Sequence, residues 1–468
     1  MTFDLIAVGG GFAGLTAAVR ATELGLRAAV VERGAGEHYL CNSRVCTGVV
    51  HIAFLDPATD EDTLYRQIQR ATGNSARDDL ARTFAVNGGR TLDWLADKGA
   101  KFGDAPHRYR GPPMLMPARA LRAGLDWEES APNLLLKELR SRFEKAGGTM
   151  RCETEAISLL MEDGACTGLE VESASGRERL LSRTVVLADG GFQANRERLG
   201  RHITARPEQI RQRNVETGIG AGMRMAEEAG AALVGLDKFY GHVLSRDVMT
   251  NEMLWPYPQL DALCAASVVV DANARRFADE GHGGIALTNV IAGLDQPLGA
   301  FVVFDADAWE EAKTEDIVPP NPSLIENGGT VFEAPSIEAL AEAAGLDRDT
   351  LTKTVSDYND AVAAETLASL SPARTSDVYQ ANPIRRPPFR AIPICAGITV
   401  TMGGIAVDGA AQVVRPDDTP IPGLYAAGSS VGGIEGGPRA GYVGGLIKAF
   451  LLGLVAAESV AEMNSGRN

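Results

Sequence analysis

Basic charge is scarce in this chain. It carries 45 Lys and Arg against 61 Asp and Glu, a net charge of −16, with a pI near 5.0. Such a chain lacks the basic face that a nucleic-acid partner needs, although one pocket can still be positive enough for a small anion. Cysteine is scarce too, and Cys41, Cys46, Cys152, Cys166, Cys264 and Cys395 form no CxxC pair. The Cys41–Cys46 spacing matches no common zinc, iron–sulfur or haem pattern, so reduced thiols, no metal site and a cytoplasmic location are expected. The start, "MTFDLIAVGG", runs straight into a strand with no basic leader. Long unbroken hydrophobic runs are also missing. The most apolar late stretch, "GGLIKAFLLGLVAAESVAEM", is interrupted by Lys448 and Glu458. It reads as a buried amphipathic helix and not as a membrane span.

What remains is ordinary globular composition, 45% hydrophobic and 23% charged over 468 residues, which is enough for two domains. The first motif is "FDLIAVGGGFAGLTAAVRATELG". An apolar strand leads into Gly9, Gly11 and Gly14, and helix-forming residues follow. Gly9 allows a tight turn, Gly11 lets the backbone approach a pyrophosphate, and Gly14 allows close helix–strand packing. Phosphates would sit at the positive end of that helix, beside Phe12 and Ala13. "LRAAVVER" reads as a second strand ending in Glu32 and Arg33, and the acid can accept from an adenosine ribose. Two later strands, Thr184 to Ala188 and Leu424 to Ala427, end in Gly190–Gly191 and Gly428. Strand–glycine elements returning to one place suit a long cofactor. No second complete GxGxxG unit with its strand-end acid is present, which favours one dinucleotide, FAD.

In the order "IAVGGGFAGLTAA", "NSRVCTG", "VVLADGGF", "TGIGAGMRMAEEAGA", "ARRFADE", "TMGGIAVD" and "IPGLYAAGSSVGG", the chain resembles the flavoproteins of the succinate dehydrogenase and fumarate reductase group. That group includes tricarballylate and ketosteroid dehydrogenases. The resemblance implies an α/β fold, a Rossmann-like FAD-binding domain with an inserted α+β capping domain. The expected division is 1–235 and 386–468 for the FAD-binding domain and 236–385 for the cap. Inside the cap, "SIEALAEAAGLDRDTLTKTVSDYNDAVA" reads as a helix. Asn42, Ser43, Thr47, Gly48, Ala188, Gly444, Gly445 and Leu446 join the glycines as expected cofactor contacts. Thr401 and Met402 are expected to border the flavin. Asn42 stands where several relatives carry the histidine that bonds FAD covalently in "HSxxAQGG", so the FAD is expected to be non-covalent.

The substrate groups are mixed. Arg439 in "GGPRAGY" falls on the arginine of "GANRLGG" that grips a substrate carboxylate, and His242 in "FYGHVLS" falls on the histidine of "QAHPT". Gly284, however, replaces the proton-delivering arginine of "RFVNExxxR", and Val400 replaces the histidine of "HTMGG". Arg44 in "NSRVCTG" is similar to the "GGNSRH" of tricarballylate dehydrogenases and hints at a polycarboxylate. Plain fumarate reduction is not implied.

Arg439 is expected as an anion clamp, because its planar fork suits a carboxylate. Its alternative is a surface or phosphate-binding role. Its loss should cost on the order of 2–4 kcal/mol if the pair is desolvated. Arg275, Arg276, Asp279, Glu280 and His282 read either as internal ion pairs or as part of a proton path, with His282 a substitute donor. Tyr240, Tyr257 and Tyr442 are packing aromatics or site groups. Arg108 and Arg110 are expected to face solvent. The resulting expectation is an FAD-dependent dehydrogenase or reductase acting on CH–CH groups. Hydride would pass between flavin and a small, anionic carboxylic acid, with His242, His282 or Tyr442 moving the proton. The competing readings are an enone dehydrogenase of the ketosteroid type and a non-catalytic flavin module. The electron partner and the reaction direction are left open.

Overall fold

The structure is a computed structural model that describes residues 2–104, 111–118, 127–314 and 318–465. Arg108 and Arg110 lie outside the described residues. Two sheets carry the architecture. The first runs in the order 412–414, 420–426, 185–187, 5–8, 28–31, 149–151. Its strands are parallel except for Gln412–Val414 at one edge. Leu5–Val8 and Ala28–Val31 are buried along their whole length, as continuous apolar strands covered on both faces should be. Their carboxyl ends and those of Val185–Leu187 and Pro420–Ala426 share one edge, which is where open α/β sheets bind ligands.

Helix Phe12–Glu23 packs against helix Gly445–Ser465. The approach is close. A Cβ built on Gly453 would lie 2.7 Å from the Ala13 carbonyl oxygen, and the Phe12 and Phe450 rings are 4.5 Å apart. The long helix is not simply amphipathic. Lys448 is buried and its Nζ lies 2.9 Å from Glu435 Oε2. Among the described residues, no helix is long and apolar enough to cross a membrane.

The second sheet is built around Phe389–Thr401. Phe239–Ser245, Ala300–Phe304 and Phe332–Ala334 pair with it antiparallel, and Arg211–Gln212 pairs with it parallel. The sheet therefore takes in residues on both sides of the expected 236–385 segment, because its central strand begins after that segment ends. The expected single helix is two, Ile337–Ala344 and Arg348–Ala363. Gly345 closes the first in the left-handed conformation, and Asp347 caps the second by accepting from Thr350 N.

Candidate active site

One large cavity follows the carboxyl edge of the first sheet and continues beneath the second. At its sheet end lie Gly9, Gly11, Phe12 and Ala13, then Glu32 and Arg33. Gly14 does not line it. A Cβ there would meet the Gly9 carbonyl oxygen at 2.0 Å, so Gly14 serves the turn itself. Both Glu32 oxygens accept from main chain, Oε2 from Gly10 N and Oε1 from Gly34 N, each at 2.7 Å. Ser43 Oγ accepts from Phe12 N at 2.9 Å and ties the second motif to the glycine turn. Asn42, Ser43 and Thr47 line the cavity. Gly48 stands outside it, at φ 95 against Leu115.

Further along are Ala188, Gly190, Gly191, Gly428, Gly445 and Leu446. Gly444 sits one step behind, at φ 138, where a Cβ would meet the His51 carbonyl oxygen at 2.2 Å. Thr401 and Met402 are fully buried and do not line the cavity. Thr401 Oγ1 accepts from Phe192 N instead, and Thr399 and Val400 take the wall position.

An extended dinucleotide suits this lining. Gly11 offers helix Phe12–Glu23 an N-terminus with no side-chain cap. Gly190 has φ 93 and nothing within 4 Å of a built Cβ, so any larger residue would project into open space. Gln193 Oε1 is buried beside the cavity with no partner among the described residues.

The end beneath the second sheet holds aromatic and titratable groups. His242 Nδ1 lies 2.5 Å from Asp261 Oδ2, and Nε2 lies 3.0 Å from the Tyr240 hydroxyl. Asp261 Oδ1 also accepts from Val243 N. The Asp261 carboxylate can only accept, so Nδ1 carries a proton, and in the neutral imidazole Nε2 then accepts from the Tyr240 hydroxyl. Tyr240 stacks on Tyr442 with ring centroids 3.8 Å apart, and Tyr442 Oη accepts from Gly445 N at 2.7 Å. Tyr240, His242, Tyr257 and Tyr442 all line the cavity.

Two expected catalytic residues are elsewhere. Arg439 is exposed on the turn Gly437–Ala440 and does not line the cavity. The Gly436–Gly441 bridge closes that turn, and Tyr442, just after it, lines the cavity. His282 lies outside the cavity beside Asp279, at 3.4 Å. Its cluster is a set of internal ion pairs. Arg276 grips Glu280 with both Nε and Nη2, and buried Arg374 approaches the same carboxylate. Arg44 is buried and turned into the protein, donating to the Tyr39 and Glu37 carbonyl oxygens and to Asn133 Oδ1. It holds a loop and does not face the cavity.

Sequence reasoning missed His51, Arg213, Gln259 and Asp261. Burial pushes the His51 imidazole down to about 4 despite the nearby Glu435 charge. Its Nδ1 accepts from Phe54 N, and its ring meets Tyr442 edge-on. No local pattern marks these residues. His51, Arg213 and Gln259 line the cavity, and Asp261 reaches it through His242; they come together from segments distant in sequence.

The family described as "FAD binding domain" matches residues 4–442. The NADH:acrylate oxidoreductase of Vibrio harveyi is 27% identical over 395 residues, covering 82% of this chain and 37% of that protein. The NADH:fumarate oxidoreductase of Klebsiella pneumoniae is 26% identical over 448 residues, covering 94% and 46%. The chain thus spans less than half the length of these two relatives. In fold it is similar to the 3-ketosteroid Δ1-dehydrogenase of Sterolibacterium denitrificans, with TM-score 0.74, 19% identity and coverage of 99% of this chain and 100% of that one. The glycine turn, the strand-end acid and the match over nearly the whole chain agree, and the protein belongs to the FAD binding domain family, with FAD as its cofactor.

Proposed function

We propose that the protein is an FAD-dependent oxidoreductase that makes or reduces a C=C bond beside a carboxylate or carbonyl. The observation that carries this reading is the Asp261–His242–Tyr240 chain, which ends in a phenol on the cavity wall. When bound, FAD supplies hydride exchange at carbon. This chain supplies the proton. In the oxidative direction neutral His242 Nε2 takes the phenolic proton while the Tyr240 oxygen takes the proton from carbon. In the reductive direction Tyr240 O–H gives its proton to carbon and the His242 imidazolium replaces it, with Asp261 accepting from Nδ1–H in both. The same arrangement serves either direction. Tyr442 braces Tyr240 by stacking. The second sheet covers this end of the cavity and keeps water from the reacting groups.

A small carboxylic acid is the proposed substrate, in keeping with acrylate and fumarate in the names of the two relatives. The pair of cavity tyrosines also favours a second reading, a neutral enone activated at its carbonyl. The FAD is proposed to be held non-covalently, since Asn42 lines the cavity at the position of the linking histidine and its Oδ1 accepts from Val215 N. Free thiols at all six cysteines accord with the cytoplasm, where we place the protein.

The test is anaerobic. Protein reduced with dithionite is mixed with acrylate, fumarate, urocanate or cyclohexenone, and oxidised protein with the saturated counterparts. Return or bleaching of the visible flavin band with at least one pair supports the reading. No response to any pair refutes it. Acid precipitation should leave the yellow colour in the supernatant, and a yellow pellet would refute non-covalent binding.

A further inference from the structure

We infer that Arg213 anchors a carboxylate of the substrate, an inference that rests on the reading that substrate occupies the cavity beside Tyr240. Among the described residues, two guanidinium groups line the cavity, those of Arg33 and Arg213. Arg33 follows Glu32 at the strand end and donates to the Thr217 carbonyl oxygen, so it belongs to the dinucleotide end. Arg213 lies at the end beneath the second sheet, just after the strand Arg211–Gln212. Its main-chain N donates to the Ile398 carbonyl oxygen at 2.7 Å. Its Nε donates to the Pro256 carbonyl oxygen at 3.2 Å and its Nη1 to Thr399 Oγ1 at 3.0 Å. The guanidinium also lies 5.4 Å from the Tyr257 ring centre.

These contacts fix the fork without neutralising it. Among the described residues, Arg213 makes no ion pair, whereas the buried Arg276 and Arg374 share Glu280. A half-buried guanidinium that is held by neutral acceptors keeps its charge available for a ligand. Among the described residues, the acids on the cavity wall are Glu32, Glu155 and Asp189. Glu32 is bonded to the glycine turn and Asp189 Oδ2 to Gly222 N, both on the dinucleotide side.

The location suits the chemistry. Arg213 follows the short strand on one side of Phe389–Thr401, while Tyr240 and His242 sit on the strand along its other side. Backbones two strands apart are separated by about 10 Å. Both side chains turn into the same cavity, so one small molecule can reach both. Its carboxylate would take the Arg213 fork and its reacting carbon the Tyr240 hydroxyl. With Arg439 facing solvent, Arg213 is, among the described residues, the guanidinium at this end of the cavity.

The experiment compares wild type with Arg213→Gln and Arg213→Lys, all loaded with FAD. Each reduced enzyme is mixed with acrylate, fumarate or urocanate and with the methyl ester of the same acid. Binding is read separately from perturbation of the flavin spectrum of the oxidised protein by each acid. The expected result is a loss of 30-fold or more in kcat/KM for the acid in Arg213→Gln, carried mostly by KM, on the order of a lost charge-assisted pair. Arg213→Lys should lose less, and the ester should change less than threefold. Equal losses for acid and ester, or no loss, overturn the anchor. If acids bind through Arg213 without reoxidising the flavin, the anchor stands and the C=C reading falls. If only cyclohexenone and the esters react, the anchor falls and the C=C reading stands. If acids neither bind nor react, the anchor falls.

Discussion

Asp261 occupies the space that a side chain at position 284 would need. A Cβ built on Gly284 would lie 2.0 Å from Asp261 Cγ. That carboxylate is also the partner of His242. Glycine at 284 is therefore a condition of the Asp261–His242–Tyr240 chain. The resemblance places a proton-delivering arginine at this position, and the packing shows what stands there instead.

Gly284→Ala should consequently hurt more than a methyl group suggests. Asp261 has to move, and overpacking of this kind costs about 1–3 kcal/mol. The urea midpoint should fall, and kcat should fall by a factor beyond the loss of folded protein. An unchanged midpoint together with unchanged kcat would show that Asp261 does not need this place.

Tyr240→Phe removes the phenolic proton and keeps the stack on Tyr442. The expected loss is about 10²–10⁴-fold in kcat, the usual range for a positioned acid or base. FAD content should match wild type, since Tyr240 lies on the second sheet, away from the glycine turn. Retained kcat would move the proton step to another group.

Arg439→Ala should leave kcat/KM within about twofold of wild type. Surface substitutions away from special features are usually near neutral, and Arg439 is exposed on its turn. The result is read against Arg213→Gln measured alongside. A 30-fold loss in Arg439→Ala would mean that this turn folds inward in the working enzyme.

The dinucleotide end was legible because its signals are local. Gly9, Gly11, Gly14 and Glu32 each act within one strand–turn–helix unit, and three of the four line the cavity. The substrate end was less legible because it is assembled from distant pieces. Arg213, Tyr240 and Val400 meet only through pairing with Phe389–Thr401. A motif does not tell which way a turn faces, and Arg439 is exposed on its turn, away from the cavity lining. The break at Gly345 and Asp347, by contrast, is a helix stop and start that the sequence itself displays.

His51 gives the pH dependence a sign. Its folded value is pushed down to about 4 by burial, with Glu435 the opposing charge and Tyr442 packed on its edge. The unfolded chain therefore binds the extra proton first. Stability from this group is fully present above about pH 6.5 and is lost as pH falls toward 4, on the order of 3 kcal/mol in all. Asn at this position can still accept from Phe54 N but does not titrate. In urea unfolding of the FAD-loaded proteins, His51→Asn should lose less stability than wild type between about pH 7 and pH 4.5. Parallel curves would place the acid sensitivity elsewhere.

Lys448 and Glu435 form a buried pair whose two members should not be equal to the sum of their separate losses. Glu435 Oε1 accepts from Val443 N and Gly444 N, and Oε2 faces Lys448 Nζ. The pair thus fixes the chain that enters helix Gly445–Ser465 beside Tyr442. Lys448→Met leaves a buried carboxylate without its cation and should cost about 3–5 kcal/mol. Adding Glu435→Gln removes that stranded charge and keeps an oxygen for the two amides. The double variant should therefore be more stable than Lys448→Met alone, as judged by urea midpoints on one protein batch. A double variant no more stable than Lys448→Met would mean that the stranded carboxylate costs little and that the two charges do not depend on each other.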